Sequence, residues 1–187
     1  VLPYFKKSES ISGLDSKYRS DNGPLKLSRS SEGNVLSKVY LEAAEQAGYE
    51  INNDMNGYKQ EGFGLMDTTI FGGKRQSTSV TYLHPIIKRK NLKVITKTVV
   101  HKIMIKNNKA VGVEYSQGER KEEVYAENEV ILSAGAINSP QLLMLSGIGP
   151  ADHLEELDIP VNYNSKGVGE NLQDHLETYL QYELSLI

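Results

Sequence analysis

Residues 135–149 read Gly-Ala-Ile-Asn-Ser-Pro-Gln-Leu-Leu-Met-Leu-Ser-Gly-Ile-Gly, and this run decides the fold class. The residues before it, 129–133, read Glu-Val-Ile-Leu-Ser and form a compact apolar run of the kind expected of a strand buried on both faces. Ser139 is a good helix N-cap, Pro140 suits the first helical position, and Gly147 can end the helix in a left-handed conformation. The sequence therefore predicts a buried strand, a crossing of small residues and a short helix, as in α/β proteins.

The crossing is built from the small residues Ser133, Ala134, Gly135 and Ala136. Small side chains let a flat ligand or a phosphate approach the backbone closely. A crossing that leads from a strand to a helix N-terminus can hold a dinucleotide at the carboxyl end of a sheet. Such residues also serve packing and capping alone, so the residues by themselves leave both interpretations open.

The remaining pattern predicts a mixed α/β (α+β) chain. Apolar residues at helical spacing predict a helix over 35–47 that ends at Gly48, and a second helix over about 77–89 that Pro85 shortens. Runs of apolar and β-branched residues predict strands, with a hairpin turn at 107–108. The predicted strands cover 25–27, 92–95, 99–105, 110–115, 124–126 and 129–133, with further short strands between 63 and 70.

Composition limits the classes of function. The chain has 187 residues with a net charge of −3, so it has no basic surface that would predict nucleic-acid binding. It has no cysteine, which excludes disulfides, thiolate metal sites and a cysteine nucleophile. No apolar run approaches the roughly 18 residues of a membrane helix. The chain begins with Val1 and ends on an apolar stretch at 184–187, so we expect it to be partial.

Several stretches resemble sequence motifs of the glucose–methanol–choline (GMC) oxidoreductase family. The run at 135–149 matches the second signature of that family at each restricted position, and the resemblance extends over nearly the whole chain. Within the family, the run Asn-Gly-Tyr-Lys-Gln-Glu-Gly-Phe-Gly at 56–64 is most similar to the choline-oxidising members. The stretches that carry the resemblance are 1–7, 56–64, 73–83, 135–149 and 167–175.

The resemblance implies parts of two domains. Residues 1–75 would belong to the substrate-binding domain, 76–175 to a Rossmann-like FAD-binding domain, and 176–187 would begin the next substrate-domain segment. The implied activity is oxidation of choline to betaine aldehyde by hydride transfer to flavin. Alternatives are a GMC enzyme for another primary alcohol (aryl, sugar or aliphatic), or a non-catalytic module that keeps the scaffold.

The resemblance also implies specific contacts to the cofactor FAD. In the family, one valine backbone lies against the adenine, and by register from Asn91 this is Val100 here. The crossing at 133–136 would lie beside the adenosine, so the implied cofactor-binding residues are Val100, Ser133, Ala134, Gly135 and Ala136. The glycine-rich fingerprint that holds the FAD pyrophosphate is absent from these 187 residues, and so is the catalytic histidine of the family. The chain alone is therefore not expected to be active.

No residue of this chain is predicted to be catalytic or to bind a metal. The histidines at 84, 101, 153 and 175 have no metal-like spacing, and His175 is interpreted as structural. The quaternary ammonium of choline favours aromatic or anionic surroundings. Residues of those types fall in or near the implied substrate-domain region, at Tyr58, Glu61, Phe63, Asp67 and Tyr82, although a place in the core or on the surface explains each of them better than a substrate cage.

The implied partners are an alcohol substrate and an electron acceptor, with no nucleic acid and no transmembrane segment in this chain. The acceptor and the oligomeric state are left open by the sequence, as is the mode of FAD attachment. The resemblance implies a mitochondrial location in a eukaryote, and a cytoplasmic or membrane-associated one in a bacterium.

Overall fold

The computed structural model describes residues 1–29 and 33–183, and the chain forms two compact units, Val1–Val94 and Ile95–Ile187. Both units mix helices and strands, which confirms the predicted mixed class. The predicted boundaries at 75 and 175 concern domains of a longer protein, and they stay predictions. Parts of the predicted loop at 8–33 and of the segment at 176–187 lie outside the described residues.

In the part of unit 1 that the structure describes, there are two α-helices and six very short strands, besides one π-helical turn and one 3₁₀ turn. Strand β1 pairs in parallel with β2, while β3–β4 and β5–β6 are antiparallel pairs. The elements are α1 (Leu2–Ser8), β1 (Glu9–Ser10), β2 (Leu25–Lys26), β3 (Ser28–Arg29), α2 (Val35–Gln46), β4 (Asp67–Thr68), β5 (Ile70–Phe71) and β6 (Lys74–Arg75).

Helix α2 confirms the predicted helix and its end. The Asn34 side chain accepts a hydrogen bond from the Leu36 N–H at 2.9 Å, which caps the first turn. Gly48 follows the helix with φ +85°, the left-handed conformation that glycine adopts most easily. Val35 is 73% exposed and only Ala44 is buried, so most of the apolar face of α2 is open to solvent within this unit.

The predicted helix at 77–89 is instead a π-helical turn, Ser79–Leu83, followed by a 3₁₀ turn, His84–Ile86. Pro85 has no N–H to donate to the preceding turn, and its ring crowds that turn, which disfavours a regular α-helix through this segment. The strand predicted at 92–95 is wrong, because this segment has irregular backbone in the structure.

A buried arginine holds unit 1 together. The Arg19 side chain is 3% exposed, and its guanidinium donates to Glu9 at 3.0 and 3.1 Å and to Asp67 at 2.9 Å. It also donates to Asp54. Burial opposes the charge, but the hydrogen bonds to Glu9 and Asp67 and the nearby carboxylates raise the pKa of Arg19 above its ordinary value. One side chain thus links β1, the loop at 54 and β4.

Unit 2 is built on a three-stranded antiparallel sheet in the order β7-β8-β9, with β7 at one edge. The strands are β7 (Thr98–Lys106), β8 (Lys109–Gln117) and β9 (Arg120–Tyr125). They confirm the predicted hairpin and extend it. Asn107 and Asn108 have φ +50° and +59°, the left-handed pair that a tight two-residue hairpin turn requires.

After the sheet come helix α3 (Gly135–Leu145), strand β10 (Ile148–Gly149), helix α4 (Ala151–Glu156) and strand β11 (Tyr163–Asn164). Strands β10 and β11 pair in parallel. The buried apolar side chains of this unit are Ile103, Tyr115 and Leu154, the last with 0% exposure.

The buried strand predicted at 129–133 is wrong for this chain. These residues have no regular secondary structure, and Ile131 is 78% exposed. A strand needs a neighbour to satisfy its backbone N–H and C=O groups, and no strand pairs with this segment among the described residues. The apolar run therefore lies open instead of buried.

Among residues 1–29 and 33–183, no helix combines the length and the apolar character needed to cross a membrane.

Candidate functional site

The crossing lies at the start of helix α3. Ser133, Ala134, Gly135 and Ala136 are all exposed. Gly135 has φ +92°, and a Cβ placed on it would meet no other atom within 4 Å. Left-handed backbone here turns the chain into the helix, and the small side chains leave its surface open.

The predicted N-cap is wrong, because α3 begins at Gly135 rather than after Ser139, and Ala134 is its N-cap. The Ser139 hydroxyl instead accepts a hydrogen bond from the Ala134 N–H at 3.1 Å. Pro140 lies inside the helix, where it offers no N–H to the preceding turn. The serine therefore holds the crossing from within the helix.

The predicted end of α3 is confirmed. Gly147 has φ +78°, and its N–H donates to the Met144 carbonyl at 2.9 Å. Its own carbonyl accepts from the N–H groups of Asn162 and Tyr163 at 2.8 and 3.0 Å. A Cβ at this position would lie 2.3 Å from the Pro160 carbonyl oxygen, so only glycine fits without a shift.

Val100 lies in β7, opposite Tyr115, and is 40% exposed. The register shifts between Val100 and Lys102, so the strand is irregular at this point. In the part of the chain that the structure describes, β7 has a strand neighbour on one side only. Backbone groups of an edge strand are open to pairing with a ligand.

Helix α3 is attached to β7 by the buried Ser146. Its hydroxyl accepts from the Ile103 N–H at 2.8 Å and donates to the Leu142 carbonyl at 2.5 Å. Asn162 donates to the Ser146 carbonyl at 2.9 Å. The crossing thus lies at the N-terminal end of α3, and β7 is bound at its C-terminal end. Sequence reasoning named Ser146 only as a matching position, and it missed Asn162, which no local signal marks.

These residues suit the adenosine part of a dinucleotide. The first N–H groups of any helix have no intrahelical acceptor, so the start of α3 offers donors beside the open backbone of the crossing. The exposed edge at Val100 offers further backbone groups. Contact of Val100 and the crossing with FAD nevertheless stays a prediction.

Unit 1, which does not contain the crossing, has a cavity of about 770 Å³, which is lined by Tyr58 and Asp67 among other residues. Both carboxylate oxygens of Asp67 are already paired, one with Arg19 at 2.9 Å and the other with Arg29 at 3.1 Å. A cation entering this cavity would find the carboxylate of Asp67 already bound by two arginines. We therefore do not assign the cavity to a quaternary ammonium group.

Two of the other residues considered for substrate contact, Phe63 and Tyr82, have local partners. Phe63 stacks at a tilt on Tyr49 with ring centroids 5.0 Å apart. The hydroxyl of Tyr82 forms a hydrogen bond with that of Ser8 at 2.7 Å. These contacts explain Phe63 and Tyr82 by packing within unit 1.

The histidines form no shared site in the described ranges. His101 Nε2 and the Ser116 hydroxyl are 2.8 Å apart, and His84 Nε2 lies 3.4 Å from the Ser79 hydroxyl. Over the same ranges, no group of three or more His, Cys, Asp or Glu side chains is arranged so that it could hold a metal ion.

The chain matches a known protein family. The family model described as "GMC oxidoreductase" matches residues 1–177. The chain is 53% identical over 180 residues to human "Choline dehydrogenase, mitochondrial", covering 96% of this chain and 30% of that protein. It is 50% identical over 181 residues to an "Oxygen-dependent choline dehydrogenase" from Rhizobium etli, covering 97% of this chain and 33% of that protein.

Solved structures agree with this match. An FAD-dependent oxidoreductase from Chaetomium thermophilum is 30% identical with a TM-score of 0.85, covering 92% of this chain and 32% of that one. A pyridoxine 4-oxidase from Mesorbium loti is 27% identical with a TM-score of 0.76, covering 87% of this chain and 32% of that one. The chain therefore spans about a third of the length of the proteins it matches.

Proposed function

Because the chain belongs to the GMC oxidoreductase family, we propose that it is one part of a longer FAD-dependent dehydrogenase that oxidises choline to betaine aldehyde. The observation that carries the proposal is the 53% identity to human choline dehydrogenase over 96% of this chain. The share of that relative that is covered, 30%, is the reason to propose a longer enzyme.

The role proposed for this chain is to hold the cofactor. FAD, when bound, accepts a hydride from the alcohol carbon. The backbone of Val100 pairs with the adenine, and Ser133, Ala134, Gly135 and Ala136 lie beside the adenosine. The open crossing and the sheet edge support this role. The base that takes the hydroxyl proton lies outside these 187 residues.

A GMC enzyme for another primary alcohol is the second candidate. The likeness to pyridoxine 4-oxidase, at a TM-score of 0.76, shows that one scaffold accompanies other substrates. The choline relatives are more similar in sequence, which favours choline.

In this proposal, the electron acceptor and the cellular compartment depend on the organism that makes the enzyme. One relative is named as mitochondrial and another as oxygen-dependent. The enzyme would be mitochondrial in a eukaryote, and cytoplasmic or membrane-associated in a bacterium.

The proposal is tested on the longer enzyme, purified and loaded with FAD. We expect choline to reduce the flavin under anaerobic conditions, which bleaches its visible absorbance. About one choline should be consumed for each flavin reduced. A panel of benzyl alcohol, glucose, methanol and pyridoxine provides the controls. Reduction by one of these alcohols and not by choline would establish the second candidate. A protein without flavin that reduces no acceptor would contradict both.

With the substrate fixed, the acceptor is identified by a separate measurement. Turnover with choline is compared under oxygen alone and under a quinone or dye in the absence of oxygen. Consumption of oxygen coupled to hydrogen peroxide would place the enzyme with oxygen-dependent relatives, and dye reduction without oxygen consumption would place it with the dehydrogenases that use another carrier.

A further inference from the structure

Ser139 in α3 and Ser146, the residue that directly follows α3, use their hydroxyls in the same way. Ser139 accepts a hydrogen bond from the Ala134 N–H at 3.1 Å, and Ser146 accepts one from the Ile103 N–H at 2.8 Å. Neither hydroxyl caps the helix N-terminus. Each one instead holds the backbone of a segment outside the regular part of the helix.

The segments held are the two that the proposed function assigns to FAD. Ala134 is part of the crossing, and Ile103 lies in β7 three residues after Val100. Ser139 and Ser146 are seven residues apart, so in a helix they lie within about 20° of the same face. They are separated along the axis by about 10 Å.

Because both hydrogen bonds come from α3 and the residue that follows it, this helix sets the distance between the crossing and β7. The Ser146 side is firmly fixed, because this residue is 3% exposed and Asn162 binds its carbonyl. The Ser139 side is half-buried, and its partner Ala134 is exposed. Without the Ser139 hydroxyl, the first part of the crossing, Ser133 and Ala134, would therefore be held less firmly against the start of α3.

We propose that Ser139 and Ser146 are positioning residues for FAD, which hold the crossing and β7 at the separation that the adenosine part of the cofactor requires. The inference rests on the proposed function, since it takes the crossing and β7 as the adenosine contacts. It adds that two residues without direct contact to FAD set its affinity through the backbone that they hold.

The test measures the dissociation constant of FAD for the longer enzyme after removal of its flavin, by quenching of flavin fluorescence. Ser139→Ala and Ser146→Ala are each expected to weaken FAD binding by roughly 3- to 10-fold, the effect of losing one ordering hydrogen bond. Ser139→Thr keeps a hydroxyl at a half-buried position, so it should restore the affinity. Ser28→Ala is the matched control, since it removes a serine hydroxyl that donates to the Ile70 carbonyl at 2.7 Å in unit 1.

Thermal melting of the flavin-free variants separates positioning from stability. Ser146→Ala leaves a buried N–H without its acceptor, so this variant should also melt earlier or fail to fold. The comparison of Ser139→Ala with Ser139→Thr is then the decisive test. Ser139 is only half-buried, so both variants are expected to fold. Unchanged FAD affinity in Ser139→Ala, or equal weakening in Ser139→Thr, would overturn the inference. A wild-type enzyme that binds no FAD would instead contradict the proposed function itself.

Discussion

Replacing Arg19 by methionine is expected to destabilise the folded enzyme by about 3–5 kcal/mol, the largest effect of any single substitution considered. The guanidinium is 3% exposed and pairs with Glu9, Asp54 and Asp67. Methionine fills a similar volume, but it leaves these carboxylates without their shared cation. Asp67 keeps only Arg29, and Asp54 already has one buried oxygen without a partner.

The measurement is the midpoint of thermal unfolding of the longer enzyme, with urea unfolding as a second reading. Arg120→Met is the matched control, because the Arg120 side chain is 81% exposed in its pair with Glu122. Exposed ion pairs contribute roughly 0–1 kcal/mol, so the control should melt close to wild type. Equal midpoints for the two variants would show that Arg19 does not hold unit 1 together.

Gly147→Ala is expected to destabilise by about 2–5 kcal/mol, because two separate costs combine at this position. The backbone is left-handed at φ +78°, which costs an alanine energy before any contact is considered. The added Cβ would also lie 2.3 Å from the Pro160 carbonyl oxygen and 2.7 Å from Asn162 Nδ2. Relief of that overlap would separate the end of α3 from β11.

Gly118→Ala isolates the first of these costs. Gly118 has φ +63° in the turn between β8 and β9, and a Cβ placed there would meet nothing within 4 Å. Gly118→Ala should therefore destabilise the enzyme only by the cost of left-handed backbone for an alanine, about 1–2 kcal/mol. Thermal unfolding of both variants gives the difference between them. A Gly147→Ala enzyme that melts with or above Gly118→Ala would contradict the close approach seen at Pro160.

Sequence patterns predicted the elements whose signals are local. The hairpin of β7 and β8 follows from two apolar runs around Asn107 and Asn108, residues that tolerate the left-handed turn. Helix α2 follows from helical spacing and from Gly48. Gly147 was recognised as the end of α3 for the same reason, since a helix end is fixed by backbone geometry at a single residue.

Patterns failed where structure depends on distant partners. The run at 129–133 has the composition of a buried strand, but a strand forms only beside another strand, and the described chain supplies none. Ser139 and Pro140 have the composition of a helix start, yet the helix begins at Gly135. Capping preferences are statistical, and here the serine hydroxyl binds Ala134 instead.

The contacts between residues far apart in the sequence were the hardest to predict. Arg19 gathers carboxylates that lie 10, 35 and 48 residues away, and no periodicity connects them. The contact of Ser146 with Ile103 spans 43 residues. For the candidate site, the fifteen-residue run predicted the crossing as a cofactor contact, which stays a prediction, and no sequence pattern indicated how α3 joins the crossing to β7.

The central claim is that the crossing and β7 lie against the adenosine part of FAD, and photolabelling tests it most directly. The flavin-free longer enzyme is loaded with an FAD analogue that carries an azido group on C8 of its adenine ring. The complex is irradiated and digested, and the labelled peptides are identified by mass spectrometry. The account predicts label in peptides that contain Val100 or residues 133–136, with protection by excess FAD. Label confined to other peptides, with none of these residues modified, would contradict it.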